Sequence, residues 1–181
     1  MTSFLSGEEV SQIGFKSVGL GVSISRNARF YNPQNISIGD HSRIDDFCVI
    51  SAGKEIVIGS NVHVAVYSLL MGNESIVVDD YANLSSRVTI YSSTDDFSGE
   101  YMTNPTVDEK YTNVISKPVH IKRHVAVGSG SVVMPGVTLE EGVAIGALSF
   151  VNRDCEAFKI YGGIPAKFLK NRSKELLDFN L

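Results

Sequence analysis

Branched aliphatic residues recur at every sixth position through the second half of the chain. Neither an α-helix nor a β-strand repeats at this interval, whereas a fixed short period is typical of a stacked solenoid. A period of six predicts a parallel β-helix of the hexapeptide type, in which three short sides close one triangular coil. The aliphatic residues that point inward are Ile121, Val127, Val133, Leu139, Ile145 and Val151, and the position four after each is also predicted inward: Val125, Ser131, Val137, Val143, Ser149 and Cys155.

The first half of the chain carries the same pattern with twenty residues in each coil. Inward residues fall on three columns, and within each coil the gaps are six, six and eight residues. We therefore predict four coils of twenty residues followed by two of eighteen, about six in all. The columns are Val18, Ile38, Ile58 and Val78; Ile24, Ile44, Val64 and Leu84; and Phe30, Ile50, Leu70 and Ile90.

One interruption breaks this rhythm. Ile90 and Ile121 are 31 residues apart, where the earlier coils use eight, so residues 92–117 are predicted to leave the solenoid as one long excursion loop. Long loops without structure of their own are uncommon in compact domains and are usually functional. Because the sides of a solenoid are flat, we expect a pocket to form at this loop or against a neighbouring copy.

The two ends of the chain are predicted to cap a single all-β domain, residues 1–181. Ser6 and Glu9 have the capping-box spacing, which predicts a short helix to about Ile13 within an N-terminal cap of residues 1–16. The solenoid occupies residues 17–155, and a C-terminal cap occupies residues 156–181. The last segment, residues 173–181, is predicted to be helical, with an apolar face formed by Leu176, Leu177 and Phe179.

Composition and charge limit the partners and the cellular location that we expect for this protein. A formal net charge of −4 argues against a nucleic-acid partner. The N-terminus has no signal-peptide pattern, and no apolar run approaches the roughly 20 residues of a membrane span, so we expect a soluble cytoplasmic protein with no membrane insertion. Cys48 and Cys155 fall on inward positions, where buried free thiols in a reducing compartment are expected.

With these residues in view, the chain resembles the left-handed parallel β-helix acyltransferases of the hexapeptide family. The resemblance is carried by the repeat, by the turn VMPGV at residues 133–137 and by GIPAK at residues 163–167. The segments IGDHSRIDDFC at 38–48 and YSSTDDFSG at 91–99 resemble more closely the enzymes that N-acylate nucleotide-linked amino sugars for surface polysaccharides such as lipopolysaccharide, including that of the anthrose pathway. The resemblance implies a homotrimer, acetyl-CoA or another acyl-CoA as co-substrate, and a nucleotide-linked sugar as acceptor.

The excursion lacks the histidine that serves as general base in sugar O-acetyltransferases of this family; its place falls near Asp95. A sugar hydroxyl needs such a base near neutrality, whereas a neutral amine attacks a thioester unaided. We therefore predict amine transfer, with Asp95, Asp96 and Glu100 orienting the amine and collecting its proton. Ser85 and Ser86, on the coil before the loop, are candidates to bind acceptor hydroxyls. The alternative for the acids is a solvated turn, and for the serines an ordinary coil surface.

For the cofactor, the resemblance implies contacts of the pantetheine arm with backbone amides at Ala126, Gly128, Gly146 and Ala147, where small residues allow close approach. It also places Lys167 and Arg172 near the CoA phosphates. The alternative for these two cations is a solvated basic end of the chain.

The four histidines do not form a ligand pattern in the sequence. His41 and His124 fall at coil corners, while His63 and His120 are predicted to point outward. No metal is expected. Sugar O-acetylation, using one of the four histidines from a neighbouring chain, remains open as a second function. From another class, a metal-dependent hydratase of the same fold or a non-catalytic trimeric scaffold also remains open.

Overall fold

Strands one coil apart pair in parallel, in the register that the columns predict. The structure, a computed structural model, describes residues 3–179. Ile36 pairs with Ile56 and Ile56 with Ile76, so coils of twenty residues stack directly on one another. Ile76 then pairs with Val119, which returns the chain to the solenoid after the excursion. The predicted left-handed β-helix is confirmed, with six complete coils and a partial seventh formed at Cys155 and Ile160.

Each side of the prism is one sheet of short strands. The first side contains Ser17–Val18, Ile36–Ile38, Ile56–Ile58, Ile76–Val78, Val119–Ile121 and Thr138–Leu139. The second side contains Ser23–Ile24, Arg43–Ile44, His63–Val64, Asn83–Leu84, Ala126–Val127, Ala144–Ile145, Lys159–Gly162 and Lys167–Asn171. The third side contains Arg29–Tyr31, Val49–Ala52, Leu69–Gly72, Thr89–Tyr91, Val132–Val133 and Phe150–Val151.

The inward columns form one continuous core, with an exception at the first coil. Ile44, Val64 and Leu84 have no exposed surface, and neither does Val127. Val18 was predicted inward, but 36% of its surface is exposed because no coil lies beneath it. Helix α1, Gly7–Ile13, lies at this end, has the predicted capping box and buries Val10.

The excursion is more ordered than a structureless loop. It begins with an antiparallel ladder in which Ser93–Asp95 pairs with Val114–Ser116. A 3₁₀ turn, Glu109–Tyr111, and a bridge between Met102 and Thr112 lie farther out. The ladder holds the two ends of the excursion together where it leaves the prism. Another 3₁₀ turn, Pro33–Asn35, occupies the same corner of the first coil.

The C-terminal cap differs from the prediction. The chain adds two strands, Lys159–Gly162 and the antiparallel Lys167–Asn171, to the second side. The predicted C-terminal helix is a single 3₁₀ turn, Glu175–Asp178, with Leu177 and Phe179 exposed; Asn180 and Leu181 lie outside the described residues. A segment this short gains too few hydrogen bonds to form an α-helix on its own.

Candidate active site

The outer surface of the second side changes character halfway along the prism. Side chains alternate along a strand, so the residues on either side of each buried column residue face outward. In the earlier coils these outward residues are mostly polar, whereas after the excursion they are alanine and glycine. The polar half contains Arg43, Asp45, His63, Asn83 and Ser85, and the small half, here called the bare track, contains Ala126, Gly128, Ala144 and Gly146.

The two glycines of the bare track differ in whether the packing of the coils requires them. A Cβ on Gly128 would lie 2.5 Å from the Ala147 amide nitrogen, so the stacking of coils requires glycine there. A Cβ on Gly146 would meet nothing nearer than 3.5 Å, so packing alone does not require glycine at this position. The stacking of coils therefore fixes glycine at Gly128 and permits a methyl group at Gly146.

Of the four residues predicted to contact the pantetheine arm, Ala126, Gly128 and Gly146 lie on the bare track and Ala147 follows it. Most of their backbone amides donate hydrogen bonds within the prism. The Ala126, Gly128 and Gly146 amides donate to the next coil, at 2.9, 2.8 and 2.8 Å. Ala147 is exposed, and its amide has no hydrogen-bond acceptor within residues 3–179. Of these four residues, only Ala147 thus offers a free donor, and the others offer close approach.

The two predicted phosphate-binding cations have different surroundings. Lys167 is exposed at the start of the last strand. Arg172 is half-buried, and its Nη1 donates to the carbonyl oxygens of His124 and Gly142 at 2.9 and 3.0 Å. Burial lowers the pKa of Arg172. The guanidinium therefore holds a corner of the prism through at least one of its nitrogens.

The three acids of the excursion also differ. Asp95 lies in the ladder opposite Val114 and is half-buried. Asp96 accepts hydrogen bonds from the Ser98 amide and from Asn113 Nδ2, each at 2.8 Å, and these contacts lower its pKa. Glu100 is exposed. Asp96 therefore shapes the turn, whereas Asp95 is held on a rigid ladder.

Ser85 and Ser86 lie at the opposite end of the third side from these acids. Both serines are half-buried and stand where the second side turns into the third. The excursion leaves after the third side, six residues beyond Ser86, which corresponds to about 20 Å of extended chain. No hydrogen bond among the described residues connects the serines with Asp95 or Asp96.

Comparison with known proteins identifies the family, although no family model matches the chain. The chain is 53% identical, over 97% of its length and 92% of the relative's, to dTDP-4-amino-4,6-dideoxy-D-glucose acyltransferase from Escherichia coli. The chain belongs to the hexapeptide-repeat acyltransferases. AntD, an N-acyltransferase from Bacillus cereus solved with dTDP and coenzyme A, superimposes with a TM-score of 0.95 at 43% identity, over 98% of this chain and 95% of AntD.

More distant relatives agree with this assignment. The putative lipopolysaccharide biosynthesis O-acetyl transferase WbbJ of Escherichia coli is 28% identical over 78% of this chain and 71% of its own length. The resemblance to N-acyltransferases of nucleotide-linked amino sugars, inferred from two short segments, is thereby confirmed by the relatives that match nearly the whole chain.

A polar network on the acyltransferase's second side was not predicted. His63 Nε2 lies 2.9 Å from Asp45 Oδ2, and His63 Nδ1 lies 3.1 Å from Asn83 Oδ1. Burial opposes the ionisation of Asp45, but hydrogen bonds from His63 and Arg43 outweigh it and lower the pKa of Asp45. The signal was present in the sequence, since Arg43, His63 and Asn83 are spaced by twenty residues and so share one outward column.

A cleft of about 450 Å³ lies on the first side at the root of the excursion. Lys117, Pro118 and Thr138 contribute to its walls. It also contains His120, whose Nε2 lies 2.9 Å from Asp79 Oδ2. Within residues 3–179, His120 is therefore the histidine that lies at the root of the excursion, and its side chain lines this cleft.

Two further findings concern residues 3–179. No three or more His, Cys, Asp or Glu side chains come together in a group that could hold a metal ion. No helix in the same range is long and apolar enough to cross a membrane.

Proposed function

We propose that the protein transfers an acyl group from acyl-CoA to the amino group of a dTDP-linked amino-deoxy sugar. The observation that carries this proposal is the match of nearly the whole chain to a relative named for dTDP-4-amino-4,6-dideoxy-D-glucose. A variant of AntD was solved with that nucleotide sugar and coenzyme A together, which supports the same pair of substrates here.

The excursion supports an amine as the nucleophile. No histidine lies between His63 and His120, so the loop itself supplies no imidazole base. A neutral amine attacks the thioester carbon directly, and collapse of the tetrahedral adduct breaks the C–S bond. Asp95 collects the proton that the amine loses and passes it to the departing CoA thiolate, so the products are an amide and a free thiol. Asp95 orients the amine, since its backbone is fixed by the ladder.

The outer surface of the second side is suited to binding acyl-CoA, which donates the acyl group. The pantetheine arm lies along the bare track, where Ala126, Gly128 and Gly146 present almost no side chain. The Ala147 amide donates to one of the pantetheine carbonyl groups, and the exposed Lys167 is available to the CoA phosphates. The thioester then lies where the bare track meets Ser85.

The active site is completed by a second copy in a homotrimer. Ser85 and Asp95 lie at opposite ends of the third side, so a neighbouring protomer is needed to bring them to one acceptor. The outward residues of that side include the half-buried Val49, Leu69 and Val132, an apolar surface suited to contact between copies. AntD variants were made at a serine and an aspartate ten positions apart, a separation found here both between Ser85 and Asp95 and between Ser86 and Asp96.

The cellular setting of this reaction is the supply of sugars for surface polysaccharide, such as lipopolysaccharide. The dTDP-linked amino sugar is a cytoplasmic precursor in this proposal. The two buried free cysteines, Cys48 and Cys155, suit a reducing compartment of that kind.

The purified protein tests the reaction. We expect thiol release from acetyl-CoA or 3-hydroxybutyryl-CoA with dTDP-4-amino-4,6-dideoxyglucose, and none with the corresponding hydroxyl sugar. Mass spectrometry of the product should show the acyl group as an amide. Turnover of plain glycosides, or the absence of thiol release with every nucleotide-linked amino sugar, would contradict the proposal.

A second candidate is O-acetylation of a sugar, and the His120–Asp79 pair in the cleft favours it. A carboxylate behind an imidazole is the arrangement of a general base. If O-acetylation is the reaction, His120→Asn should abolish turnover on a hydroxyl acceptor. For amine transfer, the same substitution should leave the rate within a few-fold.

A further inference from the structure

A chain of side-chain contacts leads across three coils to Ser85. Arg43 Nε donates to Asp45 Oδ1 at 2.7 Å, and Asp45 Oδ2 lies 2.9 Å from His63 Nε2. His63 Nδ1 lies 3.1 Å from Asn83 Oδ1, and Asn83 Nδ2 donates to Ser85 Oγ at 3.5 Å. The chain ends at the boundary between the polar half of the second side and the bare track.

The chemistry of each partner sets the direction of these hydrogen bonds. The Asp45 carboxylate only accepts, so His63 Nε2 carries a proton. The Asn83 carbonyl oxygen also only accepts, and it faces His63 Nδ1. With its oxygen committed to His63, the Asn83 amide turns its NH₂ toward Ser85. Ser85 Oγ then accepts, and its own proton is free to point away from the wall.

Stability of the fold accounts for only the sheltered Asp45 end of this network. The His63 side chain is 41% exposed, and an exposed ion pair contributes little to folding. The buried columns already hold these coils together. Asp45, at 11% side-chain exposure, is the sheltered member, as expected of a group that anchors the others.

We propose that His63 and Asn83 are positioning residues that hold the Ser85 hydroxyl ready to donate to the acceptor sugar. The inference rests on the proposed function, because it assumes that Ser85 contacts the acceptor. It adds two residues that act through Ser85 without touching the reacting atoms. Asp45 in turn fixes the imidazole, with Arg43 on the carboxylate's other oxygen.

A double-mutant cycle in the full-length protein tests this proposal kinetically. Asn83→Ala should lower kcat/KM for the acceptor about ten-fold while leaving the KM for acyl-CoA unchanged. The double variant Asn83→Ala/Ser85→Ala should be no worse than Ser85→Ala alone, because Asn83 acts through the hydroxyl. His63→Gln, which keeps an amide donor, should retain more activity than His63→Phe. His41→Gln, at a different corner, is the matched control.

Additive losses in this cycle, or full activity of Asn83→Ala, would overturn the inference. Turnover by the wild-type protein in the same assay would still support the proposed function. A second measurement needs no turnover. The ¹⁵N resonances of the His63 ring should report a proton on Nε2, the nitrogen that faces Asp45, and should shift in Ser85→Ala, but not in His41→Gln. A His63 signal that shows no proton on Nε2, or that does not shift in Ser85→Ala, would overturn the network even if the enzyme acts on another acceptor.

Discussion

Two adjacent aspartates in the excursion, Asp95 and Asp96, have opposite surroundings. Both oxygens of Asp96 accept hydrogen bonds, from Ser98 and Asn113, and those contacts lower its pKa. A carboxylate whose pKa is depressed is a weak proton acceptor, so Asp96 is suited to holding the turn. Asp95 has no such partners among the described residues and stands on the ladder.

We predict that Asp95→Asn lowers turnover on the true acceptor about a hundred-fold, because the amine loses the carboxylate that orients it. Asp96→Asn should lower turnover less, within about five-fold, and should increase hydrogen exchange in residues 93–116 because an Asn113 contact weakens. Steady-state kinetics and hydrogen exchange measure the two effects. A larger kinetic loss in Asp96→Asn than in Asp95→Asn would reverse the assignment.

Arg172 supports a second prediction at this scale. Arg172→Lys keeps the positive charge but cannot reproduce the fork that reaches the His124 and Gly142 carbonyls. The free energy of unfolding should fall by about 1–3 kcal/mol, with little change in the KM for acyl-CoA. Denaturant unfolding measures the first effect, and Lys167→Ala is the exposed control. A raised KM at unchanged stability would instead favour the phosphate contact inferred from resemblance.

At the scale of elements, the second side combines two surfaces on one stack of strands. The coils before the excursion present polar side chains, and the coils after it present alanine and glycine. The inward columns run through both halves, and the stacking of coils requires glycine at Gly128 but not at Gly146. We attribute the small residue at Gly146 to what this surface binds.

Gly146 tests the bare track directly. A Cβ there would make only ordinary contacts, so Gly146→Ala should fold with a melting temperature close to that of the wild type while placing a methyl group on the track. The KM for acyl-CoA should rise about ten-fold or more, with a small effect on the KM for the acceptor. Ser37→Val, an outward strand position on the first side, is the control. An unchanged KM for acyl-CoA would place the pantetheine arm elsewhere.

The sequence predicted the elements that repeat and missed those that do not. The columns of Ile44, Val64 and Leu84 follow from spacing alone, because only one register buries them all. The strands Lys159–Gly162 and Lys167–Asn171 carry no sixfold pattern, so they were taken for a cap without strands. The His63 network needs contacts between coils, which become visible only when the twenty-residue columns are read for outward residues.

At the scale of the whole molecule, the proposed homotrimer divides each active site between protomers. One protomer supplies Ser85 and the next supplies Asp95 in the proposed arrangement. The two groups of candidate residues, separated in a single chain, were predicted as one site from sequence. Sequence spacing did not reveal the separation, because Ser85 and Asp95 are only ten residues apart.

Mixing two inactive variants tests this arrangement. Co-expressed Ser85→Ala and Asp95→Asn chains should form mixed trimers in which one of three sites combines the two intact residues. An equal mixture should recover about one quarter of wild-type turnover, whereas each variant alone should remain nearly inactive. Light scattering confirms the trimer in all three samples. If both residues act within one protomer, the mixture should show no recovery.

The corner that follows the third side bears on how acyltransferases of this fold acquire new acceptor specificity. Each coil before the excursion already has two spare residues there, and the excursion emerges from that position with its ends tied by Ser93–Asp95 and Val114–Ser116. Material inserted at this position does not disturb the stacked interior. In the proposed arrangement, a different insert on the same scaffold would change which sugar is accepted, while the surface that binds the acyl donor stays constant.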